Sequence, residues 1–282
     1  MPRVGSGCVW TGIIKGISDR VTNAREGGKC PILATDDLPR TSKLQRQASR
    51  RPTVLRHRLS TRIWHWLNVI TVFVMLMSGL MILNAHPRLY WGQFGANFDR
   101  AWLHLPRFPG WMTIPSFYDL AGARRWHLAF AWLLAVSFVA YLLIIVANGH
   151  LRRNIAPAVS ELRPRHLLRD ISDHARLRFP TGEGALRYNT LQKLSYLGVL
   201  VILLPLLILT GLTMSPAIDA AWPWLLDIFG GRQSARSIHF IAAAAMAAFI
   251  LIHVLMVLLA GPVNELRSMI TGRFRVPPEA AQ

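Results

Sequence analysis

Two histidines, His239 and His253, share the stretch ARSIHFIAAAAMAAFILIHVLMV (235–257), which holds no other charged or titratable side chain beyond Arg236. On an α-helix fourteen steps rise about 21 Å and return to within about 40° of the starting direction. Both imidazoles therefore face one side of the helix at two depths. Two further histidines lie near the ends of other apolar stretches: His65 in RHRLSTRIWHWLN (56–68) and His127 in RRWHLAF (124–130). Once the chain runs back and forth, His65 falls at the depth of His253 and His127 at the depth of His239. A neutral imidazole binds iron, and two from opposite sides complete the axial coordination of a haem. A flat, apolar-rimmed macrocycle fits between the helices of a bundle, and two stacked across a membrane form an electron path. A lone intramembrane histidine more commonly hydrogen-bonds a neighbouring helix or relays protons. Depth-matched pairs on separate helices favour the haem reading.

The elements that must position these histidines are four apolar runs: Ile63–Leu83, Trp126–Ala147, Leu194–Met214 and Ser237–Ala260. Each is 21 to 24 residues long, and all 46 charged residues of the 282-residue chain lie outside them. A bilayer core takes about 20 helical residues, so the pattern predicts four transmembrane helices. The absence of Asp and Glu from every run argues against a proton-coupled transporter. The formal net charge of +18 would suit nucleic acid in a soluble domain. Its placement explains it otherwise. The segment before the first run, the 148–193 connection and the tail after Ala260 hold 25 of the 32 Lys and Arg residues, and the 84–125 and 215–236 connections hold seven. By the positive-inside rule both termini are expected in the cytoplasm.

The remaining chain supplies fewer signals. Residues 1–53 are basic, lack the apolar core of a signal peptide, and read as a disordered extension. Cys8 and Cys30 form no CxxC or CxxCH motif, which gives no sign of a c-type haem, zinc or iron–sulfur site. The 84–125 connection is rich in aromatic residues and proline, as expected of a lid over the membrane mouth or a docking surface for a partner. The Arg-rich stretch at 162–179 has partial helical period and suits the inner leaflet. Pro205 predicts a kink in the third span. The first span ends MLMSGLMI and the third LILTGLTM, a similarity that two helices facing one object would produce, as would chance. Gly79 and Gly211 lie at the depth of the outer histidines, where they could make room for a haem or for close helix packing. Arg62, Lys193, Arg124, Arg125 and Arg236 are candidates to meet haem propionates, with interfacial anchoring as the simpler role. Trp64, Trp66 and Trp126 read as an interfacial belt. The alanines between His239 and His253 read as room for facing helices and cofactors.

Taken together, RHRLSTRIWHWLN, SGLMILNAHPRLYWG, RRWHLAFAW, YNTLQKLSYLGVLVILLPLLILTGLTMSP and GGRQSARSIHFIAA…HVLMVLLAGP resemble the bacterial di-haem cytochrome b family. This family comprises the membrane subunits of nickel hydrogenase, formate dehydrogenase and thiosulfate reductase, with the thiosulfate reductase type the nearest in look. The resemblance covers residues 54–275 and leaves out the extension and the 276–282 tail. It implies two b-type haems, with His65 and His253 matching the cytoplasmic-side iron ligands and His127 and His239 the periplasmic-side ones. It also implies electron exchange with membrane quinone and with an extracytoplasmic redox subunit, often a molybdopterin enzyme. By analogy with the formate dehydrogenase branch, Asn68, Asn189 and Lys193 are candidates for the quinone site.

The expectation is an all-α, four-helix membrane bundle in the bacterial inner membrane, carrying electrons and performing no bond chemistry itself. Two alternatives stand beside it: a haem-free anchor or transporter, and a stand-alone membrane haem reductase. His86 and His150, just beyond the first and second spans, are the other histidines at suitable depths.

Overall fold

The computed structural model describes residues 53–96, 98–176 and 188–277. The N-terminal extension up to residue 52, the end of the Arg-rich stretch at 177–187 and the tail from 278 lie outside the described residues. Four helical spans are long and apolar enough to cross a membrane. They are α1 (Leu59–Ala85), α2 (Leu120–Ala147), a composite third span (Thr190–Thr213) and α8 (Arg232–Ala260). All four begin four to six residues earlier than the apolar runs, because the first helical turn sits among polar interfacial residues that hydropathy does not mark. Large apolar side chains such as Phe73, Val136, Val139, Ile202, Leu251 and Ile252 point outward and are exposed. On four such helices this outward face suits lipid.

The helix boundaries follow from local chemistry. Asp119 caps α2 by accepting from the Gly122 amide at 2.8 Å. Gly149, with φ +63°, ends the helix two residues after Ala147. The third span opens with α4 (Thr190–Gly198), which Asn189 and Gln192 start with a capping box. A five-residue π-helical turn, Val199–Leu203, follows, and α5 (Leu204–Thr213) completes the span. Pro205 has no N–H and its ring would crowd the carbonyl of residue 201, so the wider turn immediately before it accommodates the expected irregularity.

α1 packs along α2, and α5 along α8. Between these pairs lies an apolar cluster of Leu134, Phe138, Tyr141 and Ile145 from α2, Leu200 and Leu204 from the third span, and Met246 from α8. Met246 is midway between His239 and His253, so this cluster fills space between the two histidine levels and continues through Tyr141, Ile145 and Ile155 toward the end of α2. Of the alanine run, only Ala242 is buried, while Ala244, Ala245 and Ala248 are exposed. A contiguous run covers the whole circumference of a helix, so the run as a whole does not line an interface as expected.

Two short ribbons modify the all-helical expectation. β1 (Thr53–Leu55) pairs antiparallel with β4 (Arg273–Arg275), Thr53 opposite Arg275. This brings the two ends of the four-span unit to one end of the bundle, called here the basic end. Arg56 reinforces the closure by an ion pair with Glu265 at 3.1 Å on α9 (Pro262–Thr271). At the opposite end, β2 (Arg88–Leu89) pairs with β3 (Leu103–His104). The loop carrying them closes the start of α8. The Gly92 carbonyl accepts from the amides of Gln233 and Ser234, and Gln93 Oε1 accepts from the Arg232 amide at 2.9 Å. Three otherwise unpaired first-turn donors are thereby satisfied. The connection between the second and third spans carries α3 (Pro164–Ala175), a short helix within the Arg-rich stretch. Two further short helices, α6 (Pro216–Ala221) and α7 (Pro223–Ile228), link α5 to α8.

Candidate cofactor site: two histidine pairs

The four histidines of the spans meet as two pairs. His65 of α1 and His253 of α8 have ring centroids 6.4 Å apart with planes inclined at 58°. His127 of α2 and His239 of α8 are 6.2 Å apart at 66°. Two imidazoles on opposite sides of one metal, each bonded at about 2 Å and with about 1.1 Å more to the ring centre, would have ring centres about 6.2 Å apart. The residues present thus fit axial ligation at both levels. Among the described residues no cluster of three or more metal-type donors forms, so the arrangement offers two nitrogens per site. His86 and His150 join neither pair. His86 stacks on Tyr90 with centroids 5.8 Å apart, and His150 lines a cavity at the basic end.

The pair formed by His127 and His239 is held by hydroxyl groups that the sequence reading did not single out. Ser78 Oγ lies 3.0 Å from His127 Nδ1 and 2.6 Å from the Val74 carbonyl. Thr210 Oγ1 lies 2.9 Å from His239 Nδ1 and 2.6 Å from the Leu206 carbonyl. Each hydroxyl has one proton, which it donates to the carbonyl. Its oxygen then accepts from Nδ1–H. The proton on Nδ1 leaves the Nε2 lone pair free, the tautomer that iron ligation requires. Ser78 and Thr210 are both fully buried.

The neighbouring glycines complete the arrangement. A Cβ on Gly79 would meet His127 Cε1 at 3.4 Å, and one on Gly211 would meet His239 Cε1 at 3.5 Å. The nearest neighbour each glycine accommodates is an imidazole. The resemblance between SGL in the first span and TGL in the third therefore has a shared physical setting. In each helix pair, one helix supplies a hydroxyl–glycine step and the next supplies the histidine lying against it. That repeat was the signal by which Ser78 and Thr210 were findable.

The pair at the basic end is built differently. His65 Nδ1 is buried with no hydrogen-bond partner among the described residues, and His65 meets Trp66 edge-on at 5.3 Å. His253 lies parallel to Phe249 at 5.9 Å. Its surroundings are aromatic where those of the other pair are hydroxylic. Trp64 departs from the belt expectation: it turns inward and stacks on Tyr141 at 3.9 Å and 5°. Trp66 and Trp126 remain exposed.

Several polar candidates have structural partners. Arg62 donates to the carbonyls of Met269 and Ile270, closing the end of α9. Arg236 donates to the carbonyls of His86 and Arg88. Lys193 pairs with Glu161 at 2.8 Å, and this contact is the main reason the Glu161 carboxyl is held below its usual range. Asn68 donates to the Trp64 carbonyl one turn back, and Asn189 caps α4. Arg124 and Arg125 stay exposed at the start of α2.

Comparison with known proteins agrees with this architecture. A family model described as prokaryotic cytochrome b561 matches residues 56–272. A protein of Azospira oryzae, described as the protein-methionine-sulfoxide reductase subunit YedZ1, is 31% identical over 199 residues, covering 70% of this chain and 87% of its own. A Rhodobacter capsulatus protein, described as a Ni/Fe-hydrogenase B-type cytochrome subunit, is 24% identical over 103 residues, covering 34% of this chain and 37% of its own. No solved structure matches.

Proposed function

Since the chain belongs to the prokaryotic cytochrome b561 family, whose members bind b-type haem, we propose that residues 54–275 form a unit holding two b haems. His65 and His253 ligate one iron, and His127 and His239 the other. The protein is a multi-pass membrane electron-transfer subunit of an oxidoreductase complex. In the proposed reading it connects the quinone pool to an extracytoplasmic redox partner of the molybdopterin type. The bound groups supply one-electron redox chemistry. The chain's own residues orient the imidazoles, fix the tautomer at the outer level and exclude water with the apolar cluster around Met246.

The observation that carries this reading is the pair of imidazole–imidazole separations, each matching axial ligation, on residues fourteen positions apart on one helix. The excess of Lys and Arg supports placing the His65–His253 level on the cytoplasmic side of a bacterial inner membrane. The loop aromatics Trp91, Phe94, Phe98 and Trp111 at the opposite end are exposed, and they suit a docked redox subunit. The names of the relatives support a reductase or hydrogenase class of partner.

The test is a haem count on the purified full chain by pyridine haemochrome absorption. Two haems per chain are expected. His253→Ala should lose the inner one, His239→Ala the outer one. Two haems retained in either variant would overturn the ligand assignment, and absence of reduced b-type bands in the unsubstituted chain would overturn the function.

A further inference from the structure

At the basic end, a cavity of about 250 Å³ opens between the start of α1 and the end of α2. Arg56, His57, Arg58, Asn148, His150 and Arg153 line it, together with Leu55 and Thr61. No carboxylate belongs to the lining. Glu265 neutralises Arg56, which leaves two exposed guanidinium groups, Arg58 and Arg153, without an anionic partner among the described residues. The Arg153 guanidinium donates to the Asn148 carbonyl at 3.0 Å.

Three unpaired donors or interchangeable groups accompany this charge. Arg58 is the N-cap of α1 and makes no side-chain cap, so the first amides of that helix remain available to an anion. The Nε of Arg56 is buried without a partner among the described residues. The Oδ1 of Asn148 is also buried without one, and an amide rotated by half a turn presents N–H there instead. The two imidazoles add hydrogen-bonding capacity without charge. Burial and the Arg56 guanidinium push His57 down to about 4, and burial with Arg58 lowers His150.

We propose that this cavity binds a phosphate-ester anion at the membrane surface. Seven of the eight lining residues carry a polar or charged side chain, a donor content that favours a charged group over an apolar ring such as a quinone. It lies at the ends of two membrane spans, at headgroup depth, on the side carrying the Lys and Arg excess. Its net charge of two arginines matches one phosphate group. The same chemistry is offered by the headgroup of an anionic phospholipid and by free phosphate. The proposal is independent of haem binding.

The experiment uses the full chain in mild detergent. Retained phosphatidylglycerol is measured by native mass spectrometry against phosphatidylcholine, and inorganic phosphate binding by equilibrium dialysis. Arg58→Gln/Arg153→Gln is compared with the unsubstituted chain. With each surface Lys or Arg contributing about fivefold to an anionic lipid contact, the double variant should bind the anion about 25-fold less well. Arg58→Lys, which keeps the charge, should retain most of the binding. A loss seen with phosphatidylglycerol identifies the headgroup as the source. A loss seen with inorganic phosphate alone identifies the free anion. Equal binding of both probes by the unsubstituted chain and the double variant overturns the proposal. So does a double variant that loses b-type absorption while both probes bind unchanged, because the arginines would then serve the carboxylates of a cofactor.

Discussion

Replacing Thr210 by Val removes one oxygen and keeps the shape of the side chain. The structure gives this change a defined consequence. His239 Nδ1–H donates to Thr210 Oγ1 at 2.9 Å, and Thr210 is fully buried. No water-facing alternative is available to the hydroxyl, which is itself bonded to the Leu206 carbonyl. A hydrogen bond accepted from Nδ1–H gives the imidazole more anionic character and stabilises the oxidised iron. Bonds to charged groups are roughly twice as strong as neutral ones, and a neutral bond contributes about 1 kcal/mol. The difference between the two redox states is then about 1 kcal/mol. At about 59 mV per tenfold for one electron, that corresponds to about 40 mV. If the proposed ligation holds, Thr210→Val should raise the midpoint potential of the haem at the His127–His239 level by about 40 mV. Ser78→Ala should do the same through His127, whose Nδ1 lies 3.0 Å from Ser78 Oγ. The two hydroxyls would act on one bound group through its two imidazoles, so the double variant need not be the sum. The His65–His253 pair has no such hydroxyl among the described residues, so a haem held there should shift little. Spectroelectrochemical titration of the purified chain resolves the two potentials. A shift below about 10 mV, a downward shift, or equal shifts in both haems would refute the reasoning.

Three further outcomes follow from the same geometry. Gly79→Ala places a Cβ at 3.4 Å from His127 Cε1, an ordinary contact, so the haem count should not change; on the proposed ligation, Gly79→Leu should displace the haem at the His127–His239 level and spare the other, read by haem count. Gly231→Ala forces φ +102° on a residue with a side chain and brings its Cβ to 2.8 Å from the Gly92 carbonyl. The strain alone costs about 1–3 kcal/mol, and thermal unfolding in detergent should shift to lower temperature. His57 is held neutral to about 4, against 6.5 for the free side chain. Between those values the unfolded chain takes up a proton that the folded one does not, so stability should fall as pH drops below about 6.5. His57→Gln should flatten that fall, measured by unfolding at pH 7 and pH 5.

The sequence by itself determined the spans and the histidines. Charge is excluded from a bilayer core so strongly that four uninterrupted apolar runs leave little choice of architecture. The fourteen-residue spacing of His239 and His253 then fixes a common face and two depths through helix geometry alone. The boundaries came out short because interfacial turns are polar although helical. Trp64 was misplaced for a related reason. Its interfacial position is local, but its stacking on Tyr141 depends on α2. The alanine run was misjudged because composition does not say which residues of a helix face inward.

Tertiary structure alone decided what lies against each imidazole. Ser78 and Thr210 sit in apolar segments where a hydroxyl ordinarily satisfies its own helix, and both do so through the carbonyl four residues back. Their second contact exists because α2 lies along α1 and α8 along α5. The repeated SGL and TGL steps hinted at it without saying which groups they faced. The cavity at the basic end was equally hidden, since its arginines come from chain segments 95 or more residues apart. Hydrophobic exclusion and helical periodicity act along the chain and can be read from it. Hydrogen bonding between helices and the pooling of charge depend on which faces meet, and that is settled only when the four spans pack.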